Sequence, residues 1–218
     1  IPDFTQALLI DPKNKEALYS RGLANYYADK NQAAVNDFTE VLKLSPQYPD
    51  ALTYRGDAYK EIGNYDLALK DYDEALRINP KNTDALKSRG LCYKKMGKAD
   101  IALKDFNEAL KINPKYFAAL HNRGNIYFDL QKYELALKDY NDAISFDAKA
   151  YESRNNRGNI FFNQGKYDLA LSDYTIILLQ DPQNTLALIN RANAYKFQGK
   201  LDLAIKDLNQ AVNLSPNS

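Results

Sequence analysis

Histidine and cysteine are the first places to look for chemistry, and this chain has one of each, His121 and Cys92. A single imidazole cannot build a zinc site or activate a nucleophile without further ligands, and no cluster of Cys or carboxylates at ligand spacing surrounds it. No metal or other cofactor is implied. Cys92 stands where other stretches carry Ala58 and Ala194, so it reads as a small buried hydrophobe rather than a redox group. The charged residues are more suggestive. Arg21, Arg55, Arg89, Arg123, Arg157 and Arg191 recur every 34 residues, and so do Asp37, Asp71, Asp105, Asp139, Asp173 and Asp207. Paired charges can serve acid–base work. Catalysis needs one constellation, however, and six copies of one pair describe a scaffold. The expectation is therefore no enzyme, but a partly buried ion pair in each copy, Arg55–Asp71, Arg89–Asp105, Arg123–Asp139 and Arg157–Asp173 among them.

The elements that must position these residues follow from the same period. Pro12, Pro46, Pro80, Pro114, Pro182 and Pro216 keep the 34-residue step, with Ala148 in the one gap, and Gly22, Gly56, Gly90, Gly124 and Gly158 keep it too, with Ala192 as the sixth member. Within residues 49–82, Leu52, Gly56 and Tyr59 form one helical stripe. Gly63 breaks it, a second stripe runs through Leu69, Tyr72, Ala75 and Leu76, and Pro80 stops it because proline has no N–H to continue a helix. Each copy is thus a helical hairpin. One hairpin has too little apolar surface to fold alone, and stacked neighbours bury a continuous core.

The period, together with Leu52, Gly56, Tyr59, Ala68, Tyr72, Ala75 and Pro80, resembles the tetratricopeptide repeat over essentially the whole chain. The resemblance implies an all-α fold, a right-handed superhelical α-solenoid of antiparallel helix pairs. Full repeats are expected at 15–48, 49–82, 83–116, 117–150, 151–184 and 185–218, with 1–14 as the second helix of a preceding one. Two departures stand out. An Arg precedes each glycine where the family usually has a large apolar residue. The fifth repeat lacks its closing proline (Ala148) and carries Arg154 in place of Leu, so FDAKAYESR is expected to be an irregular or flexible joint.

Constant positions build a scaffold; variable ones carry individuality. In this family the first helix of each repeat lines the concave surface, so positions 2, 5, 6, 9, 12 and 13 should face a groove. Asn122, Asn156 and Asn190 form one row there, and Asn125, Asn159 and Asn193 another. An amide carries both a donor and an acceptor, which suits it to an extended peptide backbone. Phe128, Phe162 and Phe197 adjoin the rows as receivers of apolar side chains. Lys87, Lys94 and Lys95 would favour acidic residues at one end of the ligand. The clamp that some family members use for chaperone C-termini is missing its set: Lys87 is followed by Leu91 where Asn is needed, and Glu152 and Asn156 hold the later Lys and Arg positions.

The composition agrees. Lys plus Arg total 29 against 28 Asp plus Glu, so no global field draws nucleic acid. No segment is apolar enough for membrane insertion. One cysteine rules out an internal disulfide framework and suits a reducing, cytoplasmic setting. The leading expectation is a non-catalytic scaffold that binds an extended protein segment in its groove. The alternatives are homo-oligomeric assembly through the ends or convex face, where Leu208, Val212 and Leu214 leave an apolar surface, and the recognition arm of a larger enzyme.

Overall fold

The computed structural model describes residues 2–214, which contain thirteen α-helices and no strand. Pro216 lies outside the described residues. The chain divides into two compact units, Ile1–Pro114 and Lys115–Ser218. The first contains α1 (Pro2–Ile10), α2 (Lys15–Tyr27), α3 (Asn31–Leu44), α4 (Pro49–Glu61), α5 (Tyr65–Ile78), α6 (Thr83–Lys95) and α7 (Ala99–Ile112). The second contains α8 (Phe117–Asp129), α9 (Tyr133–Phe146), α10 (Tyr151–Asn163), α11 (Tyr167–Gln180), α12 (Thr185–Phe197) and α13 (Leu201–Leu214).

Start and stop signals explain these boundaries. Asn14, Asn82 and Asn184 cap α2, α6 and α12, each side-chain oxygen accepting a first-turn N–H at 2.9–3.0 Å, which satisfies a backbone donor with no helical partner. Pro49 opens α4, where its missing N–H costs nothing. Inside each hairpin the chain reverses through one left-handed residue. Gly63, Gly97, Gly165 and Gly199 supply it at φ of 72–83°, whereas Asp29 and Gln131 are held there at 57° despite their side chains. The next N–H then reaches back to the first helix, as from Asn64 to the Tyr59 carbonyl at 2.8 Å, and closes it.

Within each unit every helix packs on the next, and each first helix also touches the following first helix: α2 with α4, α4 with α6, α8 with α10, and α10 with α12. No two second helices of a unit touch among the described residues. The first-helix layer is therefore the tighter side of each stack.

The core repeats as well. Phe38, Tyr72, Phe106, Tyr140 and Tyr174, one in each of α3, α5, α7, α9 and α11, are 0–1% exposed. Each ring lies against the glycine of its partner helix so closely that a Cβ on Gly124 would sit 2.7 Å from a Tyr140 ring carbon. The glycine is required by this approach, not by backbone freedom.

The joint before the fifth repeat is irregular in its cap but not in its length: Ala150 sits at ψ 59° with no side-chain cap, where Asn82 and Asn184 cap their helices at ψ of 95° and 93°. Residues 147–150 make a four-residue turn, as 79–82 and 181–184 do, and α10 starts on time at Tyr151. The side chain of Asp147 accepts the Lys149 N–H at 2.8 Å, just as Asn79 and Asp181 accept from Lys81 and Gln183 in the equivalent turns. The aspartate turn holds the geometry without the proline.

Candidate partner-binding surfaces

All six Arg–Asp pairs close between the two helices of their repeats. Arg55 donates from Nε and Nη2 to the two carboxylate oxygens of Asp71, both at 2.7 Å, and Arg123 makes the same two-pronged contact with Asp139 at 2.8 and 2.6 Å. Asp71 and Asp139 are buried, while the guanidinium groups are about a fifth exposed. The remaining Nη1 faces the preceding repeat. Arg55 reaches Thr39 at 3.2 Å, Arg89 reaches Asp73 at 2.7 Å, and Arg157 reaches Asn141 at 2.6 Å. Arg55, Arg123, Arg157 and Arg191 also lie 5.8–6.0 Å from an aromatic ring one turn on. Arginine thus stands at this position because one planar fork binds its own repeat, the previous repeat and a ring together. These pairs are framework.

The asparagine rows have a more specific arrangement than a row of exposed amides. Asn159 Oδ1 accepts from Tyr174 Oη at 2.7 Å and from Asn190 Nδ2 at 3.3 Å, and Asn190 Nδ2 also donates to Asn155 Oδ1 at 2.8 Å. One repeat earlier, Asn125 Oδ1 accepts from Tyr140 Oη at 2.7 Å and from Asn156 Nδ2 at 2.8 Å. In the first unit the same knot is built with other residues: Asp57 takes Tyr72 Oη at 2.8 Å and Ser88 Oγ at 3.2 Å. Position 9 of a repeat therefore joins its own second helix to position 6 of the next.

This corrects the expectation that every variable first-helix position faces open groove. Thr53, Asp57, Lys60 and Asn155 are buried, because adjacent first helices press together at these points. Asn122, Asn156 and Asn190 are half-buried. Asn122 Nδ2 donates to the Ala118 carbonyl at 2.8 Å, so Asn122, Asn156 and Asn190 all have their N–H engaged. Their Oδ1 atoms bond to no other described residue. Asn193 is exposed.

The aromatic neighbours divide. Phe128 packs edge-on against Tyr133 at 5.9 Å, and Phe162 lies between Tyr167 and Phe197 at 5.5 and 5.2 Å. Phe197 is 61% exposed and is the ring most open to a partner. Of the lysines, Lys95 pairs with Glu61 at 3.4 Å and Lys87 approaches Asp84 at 3.8 Å. Lys94 makes no ion pair among the described residues. This region is a mixed surface, less basic than its spelling suggests.

His121 sits in the same network. Its Nδ1 is 2.8 Å from Ser153 Oγ and its Nε2 2.9 Å from Asn125 Nδ2, with the ring stacked on Phe117. Nε2 also lies 3.5 Å from Glu152 Oε2, so the ring bridges α8 and α10 as a structural member of this network. Cys92 is fully buried, and burial raises its thiol pKa, which keeps it protonated. No group of three or more potential metal ligands occurs among the described residues, and no described helix is long and apolar enough to cross a membrane.

Repeated hairpins, stacked on glycine–aromatic contacts and Arg–Asp forks, define a helical-repeat protein. The chain belongs to the tetratricopeptide repeat family. Models described as TPR repeat match residues 56–97 and 124–165, and others described as tetratricopeptide repeat match 83–116, 185–218 and 106–138. Comparison with curated proteins gives no significant match. Solved structures share the fold. A tetratricopeptide repeat protein from Parabacteroides merdae is 24% identical with a TM-score of 0.73, the alignment covering 92% of this chain and 80% of that one. YrrB, described as a TPR protein with an unusual peptide-binding site, is 22% identical with a TM-score of 0.65, covering 83% and 93%. The pilF protein of Pseudomonas aeruginosa is 18% identical with a TM-score of 0.82, covering 94% and 93%.

Proposed function

We propose that the chain is a non-catalytic scaffold that binds an extended peptide segment of a protein partner along its first helices. The observation that carries this reading is the row of half-buried amides of Asn122, Asn156 and Asn190, whose carbonyls bond to no other described residue. Each is oriented by its own engaged N–H, so an acceptor stands ready for a partner's backbone N–H with little ordering left to do. The exposed Phe197 ring adds an apolar anchor at one end of the row. The peptide-binding description of YrrB, a protein of the same fold, is consistent with this use.

The test is to select peptides from a displayed random library on the wild-type chain and titrate them calorimetrically. Replacing Asn122, Asn156 and Asn190 together by Ala should weaken them at least about tenfold, roughly half a kcal/mol for each of three hydrogen bonds. Unchanged affinity rejects the row as the binding surface. A second reading, self-association, has support in α13, where Leu208 and Val212 are 42% and 60% exposed. It requires a dimer in sedimentation that dissociates when both become Asp.

A further inference from the structure

In the second unit one aromatic ring is largely open to water. Phe197 ends α12 and is 61% exposed, whereas the ring of Tyr174, in the core of the preceding repeat, is 1% exposed. The equivalent positions of the two preceding repeats hold Asp129 and Asn163, so hairpin packing does not require a ring there. Two other rings brace it: Tyr167 stacks on Phe197 at 5.6 Å and Phe162 meets it edge-on at 5.2 Å. Asp168, beside Tyr167, accepts from Gln198 Nε2 at 2.7 Å, which ties the end of α12 to the start of α11. Leu201, at the start of α13, adds a second apolar side chain, 58% exposed. The result is a small, braced apolar shelf open to solvent.

Cations surround this shelf. Lys196 and Lys200 flank Phe197 in the chain, and the turn between them is closed by the Lys200 N–H on the Tyr195 carbonyl at 2.9 Å. Lys166 precedes Tyr167, its ammonium donating to Gln164 at 2.9 Å. All three lysines are exposed, and none makes an ion pair among the described residues. Of the two carboxylates at this edge, Asp168 is engaged by Gln198, and Asp202 lies in the first turn of α13, where the helix dipole already favours it. Three ammonium groups against two carboxylates leave one positive charge over.

We propose that this edge is a docking site for a short acidic segment of the partner that carries an aromatic side chain, its ring packing on Phe197 and its carboxylates meeting Lys196 and Lys200. Charge selects the occupant. A basic segment would bring cations to three ammonium groups that have no counter-charge to share. A nucleic acid is a continuous polyanion, and it would meet Asp168 and Asp202 with too little positive charge to replace its counterions. An aliphatic side chain would cover the ring, but an aromatic one adds an edge-on or offset contact of the kind these three rings already make among themselves. The proposal rests on the peptide-scaffold reading for there being a protein partner, and it adds the chemistry of the segment; it does not use the asparagine row.

The experiment uses the full chain, isotope-labelled for NMR, and three short peptides. They are acetyl-Gly-Asp-Phe-Glu-Gly-amide, the same peptide with lysine for both acids, and the same peptide with alanine for phenylalanine. The first should give saturable shifts at Phe197, Tyr167 and Leu201. Each of the others should bind about tenfold more weakly, as expected for loss of the charge pairing or of the ring contact. Added salt should weaken the first peptide, since exposed charges are screened. Lys196→Gln with Lys200→Gln changes only exposed side chains and should weaken it about three- to tenfold. Phe197→Ala, with helicity checked by circular dichroism, should abolish the preference for phenylalanine over alanine. The Asn122/Asn156/Asn190→Ala variant should bind the first peptide as wild type does, so failure of the shelf and failure of the asparagine row read out separately. No saturable shift at these residues, equal binding of the lysine or the alanine peptide, or tighter binding of an oligothymidylate would each overturn the assignment.

Discussion

The knot at position 9 makes a quantitative prediction, best read at Asn159 and Tyr174. Tyr174 is 1% exposed, and its hydroxyl bonds Asn159 Oδ1 at 2.7 Å. Asn159→Leu strands that hydroxyl inside the stack. An unsatisfied buried polar group costs about 1–3 kcal/mol. Tyr174→Phe removes the donor and leaves Asn159 Oδ1 with Asn190 at 3.3 Å, a loss of about 0.5–1.5 kcal/mol. The double variant removes donor and acceptor together and recreates what the chain already uses elsewhere, since Leu23 goes with Phe38 and Leu91 with Phe106. Asn190 keeps Asn155 at 2.8 Å. The pair should therefore lie within about 1 kcal/mol of wild type, an interaction energy of roughly 1–3 kcal/mol in a double-mutant cycle. Urea unfolding followed by circular dichroism measures stability, and amide exchange in α10 and α11 localises it. Additive losses would refute the reasoning, because they would mean that the two side chains do not act as a bonded unit.

Two further outcomes follow from buried groups. Arg154 occupies the position of Leu120 and Leu188, with Nε buried and unbonded and Nη1 3.8 Å from Asp173, a carboxylate Arg157 already holds. Arg154→Leu should stabilise the chain by about 1–3 kcal/mol, or several degrees in thermal melting, and a fall in melting temperature would contradict it. Burial raises the pKa values of Tyr72, Tyr140 and Tyr174. An unfolded tyrosine ionises near about pH 10, so above that pH the unfolded state loses protons first, and stability falls as pH rises further. Phenolate absorbance of these residues should appear together with loss of helical dichroism; ionisation with the helices intact would count against it.

The fold was legible in the sequence because its rules repeat. Glycine, proline and the aromatic core positions each mark the period, so chance errors at one copy are corrected by five others. The half-buried side chains were harder to read. First-helix spacing alone marks Asp57 and Asn155 as groove-facing, yet both are buried where neighbouring first helices meet. Their sequence signal is a correlation, not a period: within a repeat, Asp57 goes with Tyr72, Asn125 with Tyr140 and Asn159 with Tyr174, while Leu23 and Leu91 go with Phe. In these five repeats a hydroxyl appears opposite an acceptor and is absent opposite a hydrocarbon; the sixth, with Asn193 opposite Leu208, does not follow, and there Asn193 is exposed.

That correlation also governs how the asparagine row must be tested. Asn156 and Asn190 have two parts, an N–H that holds the preceding repeat and a carbonyl that bonds no other described residue. Alanine removes both, so a weaker peptide could reflect a loosened stack rather than a lost contact. The chain supplies the control. Ser88 fills the same position in the third repeat and still donates to Asp57 at 3.2 Å, which shows that a hydroxyl is long enough to tie one repeat to the last. Asn156→Ser with Asn190→Ser should keep the tie and the unfolding midpoint while removing the amide carbonyl from a ligand's reach. Peptide affinity should then fall about as far as in the alanine variant. If serine restores binding along with stability, the carbonyls contribute nothing directly, and the row is a fastening between repeats that spaces the true binding surface.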